Sequence, residues 1–168
     1  MKQFHIVAAV AGALCVALVL AASASADGPD VFGPFEYDAA FSFSNCGFPV
    51  DVALHGTFTN RAFVNPLRNI NYIREEGTAT NAATGTTLLI RHMYTEIGRP
   101  PTSAEEGMGT FATRGLTTRV LLPGGGVVLL DAGYLLWRYP DGFVFVAHGN
   151  HQLEIQGDTT ELCAALSS

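Results

Sequence analysis

The run Tyr134-Leu-Leu-Trp-Arg-Tyr-Pro-Asp-Gly-Phe-Val-Phe-Val-Ala-His-Gly-Asn-His-Gln-Leu-Glu-Ile-Gln156 decides the fold class. Aromatic and β-branched residues fill it, and Tyr139-Pro140-Asp141-Gly142-Phe143 interrupts it. Proline presets the first turn position, aspartate follows, and glycine takes the left-handed bulge position of a hairpin. Gly149-Asn150 reads as a second, two-residue turn. Counting from both turns sets Tyr139 opposite Phe143, Trp137 opposite Phe145, Leu136 opposite Val146 and Tyr134 opposite His148. His148 then pairs with His151 across the second turn. One face carries Tyr134, Leu136, Arg138, Val144, Val146, His148, His151, Leu153 and Ile155. The other carries Leu135, Trp137, Tyr139, Phe143, Phe145 and Ala147, then Gln152, Glu154 and Gln156. Pattern alone leaves either face as the inner one. The aliphatic face suits an interior better, and the aromatic face suits a partner-covered surface. A slip of one residue would exchange them.

The same signals, short aromatic and β-branched runs punctuated by Gly, Pro and Asn, extend toward the N-terminus. Strands are expected over 37–43, 50–55 and 57–63 (the latter two separate or one strand bent at Gly56), 69–80, 86–97, 109–122 and 127–139, with 143–148 and 151–156 at the end. Asn81 to Gly85 is a turn, 98–107 the longest loop, and Pro123-Gly-Gly-Gly126 a hairpin loop. That glycine run precedes the strand-like Val127-Val-Leu-Leu130 and not a helix, so it lacks the helix N-terminus of a phosphate cradle. Asp158-Thr-Thr-Glu161 resembles an N-terminal capping pattern and introduces a short C-terminal helix. About eight strands with this turn spacing predict an all-β, antiparallel β-barrel, the alternative being a β-sandwich. Closure favours the barrel because it protects apolar strand edges.

Residues 1–26 read as an address. Lys2 gives a basic start, Phe4 to Ala22 is almost wholly apolar, and Ala24-Ser25-Ala26 is a small-x-small cleavage pattern. The expected product is a single secreted β domain, residues 27–168, with the signal peptide cleaved after Ala26 and no membrane attachment afterwards. Of three cysteines, Cys15 lies in the apolar run, which leaves Cys46 and Cys163 as a disulfide in an oxidising compartment. That bridge would stabilise the fold by up to about 5 kcal/mol in the chain-entropy picture.

Composition excludes several function classes. Lys2 is the only lysine of the 168 residues. Without its address the chain sets eight arginines against fifteen acids, a charge of −7. Schiff-base and P-loop lysine chemistry are therefore absent from the domain. An acidic surface also does not suit nucleic acid.

The candidate catalytic residues are Tyr134, His148, His151 and Asp131. In the expected register Tyr134 and the two histidines gather at one barrel end. Cross-strand Cβ atoms lie about 5 Å apart, close enough for two imidazoles to share a proton or a metal. His148 and His151 are the only local metal candidates, and a third ligand would come from His55, His92, Asp131 or Glu96. A hairpin tip is ordinarily a solvated turn, so no metal or cofactor is assigned. Asp131 interrupts the apolar run from Val127 to Trp137, and a buried carboxylate needs a partner, for which Arg119 or Arg114 is placed. Glu75-Glu76 and Glu105-Glu106 read as solvated acidic pairs.

The signal peptide, Thr78-Ala-Thr-Asn-Ala-Ala-Thr-Gly85, Leu122-Pro-Gly-Gly-Gly126 and Gly157-Asp-Thr-Thr-Glu-Leu-Cys163 resemble uncharacterised secreted proteins of high-GC Gram-positive (actinobacterial) bacteria. That resemblance implies a setting and no activity. In architecture alone, the expected barrel is similar to those of allene oxide cyclase and dirigent proteins. Three functions follow as expectations: a binding module for a small apolar ligand or a protein partner, a cyclase or isomerase using polar groups inside a barrel cavity, or an interaction protein with a filled barrel.

Overall fold

A computed structural model describes residues 28–64, 67–99, 109–138 and 144–168. The expected signal peptide, the 139–143 turn and the Glu105-Glu106 pair lie outside the described residues.

Seven strands form one antiparallel sheet in chain order: β1 (Asp30–Phe43), β2 (Val50–Val64), β3 (Leu67–Asn81), β4 (Thr87–Arg99), β5 (Thr110–Leu121), β6 (Val127–Arg138) and β7 (Val144–Asn150). A seven-residue helix, α1 (Thr160–Leu166), follows. The described residues are all-β with a short C-terminal helix. Among the described residues the sheet is not closed, β1 pairing with β2 alone and β7 with β6 alone, so the expected barrel is not formed; an open sheet or the alternative sandwich accords with this pairing. Residues 50–64 form one strand through Gly56.

The correction at 151–156 has a local cause. β7 runs through the expected Gly149-Asn150 turn, and Asn150 pairs with Ala132. Gly149 and Gly133 face one another, both at positive φ, +109° and +147°. A Cβ on either would overlap the facing carbonyl oxygen, of His148 or of Ala132, so only glycine allows this approach. Beyond His151 the carboxylate of Asp131 accepts the N–H groups of Gln152, Leu153 and Glu154 at 2.8, 2.8 and 2.9 Å. Three consecutive amides converging on one carboxylate draw the chain into a turn, with Ile155 N–H bonded to the His151 carbonyl at 3.1 Å. An eighth strand cannot form there.

The β6–β7 register matches the counted one at Tyr134–His148 and Leu136–Val146, then shifts so that Trp137 faces Val144. The inner face is the opposite of the one favoured above. Leu129, Asp131 and Leu135 are buried at 3, 0 and 6 % exposure, with Trp137 on the same side, while Tyr134 and Leu136 alternate to the outer side. Along β2, buried Val50, Val52 and Leu54 likewise alternate with exposed Asp51, Ala53 and His55.

At one end of the inner face Val50, Val52, Leu54, Ala79, Leu88, Ile90, Val120 and Leu129 form an apolar core capped by Leu162 and Leu166 of α1. Burying such aliphatic side chains contributes about 1.5–3 kcal/mol each. The Cys46–Cys163 disulfide, spanning 117 residues, ties α1 to the β1–β2 connection. Asn81 fastens it further, its amide donating to the Leu166 carbonyl at 3.1 Å. At the start of α1, Asp158 accepts the Thr160 N–H at 2.9 Å.

Candidate functional site

The other half of the inner face is polar, and strand register builds it. Tyr37, Gly56, Glu75 and His92 stand side by side on β1, β2, β3 and β4. Gly56 makes the row work. A Cβ there would lie 2.8 Å from the Glu75 side chain and 2.9 Å from the Tyr37 ring, so the missing side chain is the space through which Tyr37 reaches Glu75. The Tyr37 hydroxyl donates to Glu75 Oε1 at 2.5 Å, and His92 Nδ1 lies 2.6 Å from Glu75 Oε2.

The Glu75 and His92 side chains are 12 and 17 % exposed, which shelters the pair yet leaves it reachable. Burial pushes the Glu75 carboxyl up, but the hydrogen bonds from His92 and Tyr37 outweigh that and hold it below the usual carboxylate range. An ionised Glu75 only accepts, so Nδ1 carries the donated hydrogen and the basic lone pair of the neutral ring is on Nε2. Burial, and then the hydrogen bond to Glu75, pushes the Tyr37 phenol up.

Tyr94 and Glu96 follow His92 at the next two inner positions of β4. Burial raises the Tyr94 phenol, reinforced by the Glu96 and Glu75 carboxylates. Burial also raises Glu96, against the hydrogen bond from Asn71 at 3.4 Å. Asn71, 4 % exposed, is held in turn by the Asn60 amide at 2.7 Å. The row of Tyr94 continues as Gly115, Gly133 and Gly149, which removes side-chain bulk beside it.

Glu154 reaches this region from the turn that Asp131 organises, its side chain 29 % exposed. Burial raises its carboxyl, and the hydrogen bond from His151 opposes the shift. Aromatic pairs flank the polar centre: Phe35 with Phe58 at 6.2 Å and Phe111 with Trp137 at 4.9 Å between centroids. Trp137 Nε1 donates to Thr113 Oγ1 at 3.2 Å.

Of the residues singled out from sequence, Tyr134 and His148 are cross-strand partners as counted, but they lie on the outer face, apart from the side chains of His151 and Asp131. There Arg114 sits 5.7 Å over the Tyr134 ring. His151 is buried at 5 % exposure, with Nε2 on the His148 carbonyl and Nδ1 on Glu154, both at 3.1 Å. Asp131 is fully buried, and the backbone amides of 152–154, not Arg119 or Arg114, satisfy it. A three-amide carboxylate of this kind holds structure together. His55 is on the outer face with Asp38 at 2.9 Å. Strand alternation splits the supposedly solvated acidic pair: Glu76 meets Arg91 outside at 3.3 Å, while Glu75 turns inward.

Among the described residues no group of three or more His, Cys, Asp or Glu side chains is placed to hold a metal ion, and no helix is long and apolar enough to cross a membrane. Two open depressions of about 350 and 460 Å³ lie on the outer side of β1–β3, lined by residues such as Ser42, Asp51, Thr78 and His55, away from the polar centre. Compared with known protein families, with curated proteins and with solved structures, the chain matches none of them.

Proposed function

We propose that the protein binds a small, largely apolar molecule on the inner face of its sheet, with the polar part of that molecule on the Tyr37–Glu75–His92–Tyr94–Glu96 cluster. One observation carries the reading. The inner face is divided, its apolar end filled by α1 and its other end given to converging titratable groups between two aromatic pairs. Apolar walls with a few placed polar groups are the ordinary composition of a small-molecule site. Export of the chain, with cleavage after Ala26, is the setting we infer. It is that of the secreted high-GC Gram-positive proteins the sequence resembles, and a compartment in which the Cys46–Cys163 bond persists.

The test is a titration with the neutral fluorescent probe N-phenyl-1-naphthylamine. Saturable one-to-one binding is expected, weakened in Phe35→Ser and unchanged in Met93→Ser. Both residues are about half exposed, at 47 and 54 %, so either change spares the core, and Met93 lies on the outer face. Equal binding by the two variants, or no saturable binding, refutes the reading. A second reading, an enzyme of the isomerase kind, is favoured by the Glu75–His92 hydrogen bond, which orients an imidazole as a base.

A further inference from the structure

The sequence offers Tyr134, His148, His151 and Asp131 as proton-transfer candidates; the structure leaves Tyr134 and His148 paired on the outer face and engages His151 and Asp131 in the 151–154 turn. The outer-face depressions carry only exposed pairs, His55 with Asp38 and Ser42 with Asp51, and the β1 edge has no evident occupant. The inner row differs, because a base, its orienting carboxylate and a hydroxyl donor occupy neighbouring positions of one sheet.

Resting on the binding reading above, we infer that His92 and Tyr94 catalyse proton transfer at the carbon next to a carbonyl in an apolar ketone or aldehyde, with Glu75 as the positioning residue. The geometry follows the usual order of base, orienter and electrophilic donor. Glu75 holds Nδ1 at 2.6 Å and is itself fixed by Tyr37 at 2.5 Å, which leaves Nε2 as the ring nitrogen to serve a substrate. Tyr94 is the next inner side chain of the same strand. Two residues of strand span about 6.6 Å, a separation that side chains converging on one small molecule can close. The aromatic pairs Phe35–Phe58 and Phe111–Trp137 would take the apolar body.

The step balances without an oxidant or a cofactor. Nε2 of His92 takes the α-proton, the C–H pair becomes the carbon–carbon π bond, and the carbonyl π pair moves onto oxygen. The resulting enolate oxygen accepts a hydrogen bond from the Tyr94 hydroxyl, which keeps its proton. The imidazolium, stabilised by the Glu75 carboxylate, then returns a proton to the same carbon or to a conjugated one. Return to the same carbon gives exchange, and return to a conjugated carbon gives isomerisation. The phenol suits this role as donor because burial and the neighbouring carboxylates keep it protonated. Titratable groups facing His92 are Glu75 on β3, Tyr37 on β1, and Tyr94 and Glu96 on its own strand, with Glu154 approaching Tyr94 from the 152–156 turn.

The experiment follows α-proton exchange of 2-tetralone in D₂O by NMR, with binding of the same ketone read by quenching of Trp137 fluorescence. The full mature chain is expected to accelerate exchange above the buffer rate. His92→Gln should lose the acceleration by about 100-fold or more while still binding the ketone. Tyr94→Phe, a gentler change, should lose about 100-fold with binding retained. In Glu75→Gln the pH dependence of exchange should shift, which a merely structural carboxylate would not cause. Binding without accelerated exchange overturns the proton-transfer inference and leaves the binding reading standing. Undiminished exchange in His92→Gln or Tyr94→Phe overturns the assignment of roles, and absence of ketone binding overturns the reading beneath it.

Discussion

Asp131 is the residue whose removal should cost the fold most for its size. Its side chain is fully buried and its two oxygens accept three consecutive backbone N–H groups at 2.8–2.9 Å. Hydrogen bonds to a charged acceptor contribute about 1.5–3 kcal/mol each, but three on one carboxylate share solvation and do not add fully. Asp131→Ala removes all three and leaves sheltered donors behind, a loss of about 4 kcal/mol. Asp131→Asn keeps one acceptor oxygen and loses the charge, for about 2 kcal/mol. At about 3 °C per kcal/mol for a domain of this size, the melting temperatures fall by about 12 and 6 °C. Urea unfolding followed by Trp137 fluorescence measures the free energies. Hydrogen exchange at residues 152–154 localises them, since those amides should exchange first in both variants. A loss below about 1 kcal/mol for Asp131→Ala, or unchanged exchange at 152–154, would mean that something other than this carboxylate shapes the C-terminal turn.

Three further outcomes follow from the same geometry. Replacing Cys46 and Cys163 by serine should lower unfolding stability by up to about 5 kcal/mol, given the 117-residue separation, and thermal unfolding with and without reductant checks it. Gly56→Val fills the space between Tyr37 and Glu75; it should cost about 1–3 kcal/mol by overpacking and return the Tyr37 titration toward its ordinary 10.0 in an alkaline ultraviolet titration. Glu75 and Glu96 should give opposite pH slopes in urea midpoints. Glu75 titrates below its ordinary 4.5 when folded, so its stabilisation is full above that value and disappears as pH falls through the folded one; Glu75→Gln removes this acid-side loss. Glu96 titrates above 4.5 when folded, so its penalty is absent below 4.5 and grows as pH rises; Glu96→Gln should therefore stabilise the protein at neutral pH and not in acid.

Strand existence was readable because alternation and turn residues are local properties. Five of the runs expected between residues 37 and 148 appear close to their expected bounds, the first begins at Asp30 and not at Tyr37, and 50–64 resolves the open choice at Gly56 in favour of one strand. Register was readable only where the count across a turn was right. Taking Asn81–Gly85 as the β3–β4 turn sets Thr80 opposite Thr86 and hence Glu75 opposite Arg91. The actual partner of Thr80 is Thr87, and Glu75 meets His92. One residue decides whether the site exists on paper, because side chains alternate with a period of two. The run at 151–156 alternates as a strand should and is still a turn, since a carboxylate 21 to 23 residues upstream takes its amides from the ladder. No window of local sequence contains that competition.

Buried acid at the site and reinforcement elsewhere are two sides of one arrangement. Glu96 and Glu154 are pushed up mainly by burial, so at neutral pH each costs the fold stability. Glycines at 115, 133 and 149 take side chains out of the same region and so take packing out of the core. A fold built only for stability would fill this half of the sheet as it fills the other, with aliphatic side chains beneath a helix. Stabilisation is instead concentrated at the far end, in the disulfide, the eight-residue apolar cluster under Leu162 and Leu166, and the Asn81 clamp on α1. Departures from local packing rules that gather in one place and are offset in another are expected at functional sites. If this division is functional, Glu96→Gln and Glu154→Gln should each raise the urea midpoint at neutral pH while weakening or retuning ketone exchange. Variants that stabilise the fold with exchange rate and pH dependence untouched would show those carboxylates to be packing faults with no part in the site.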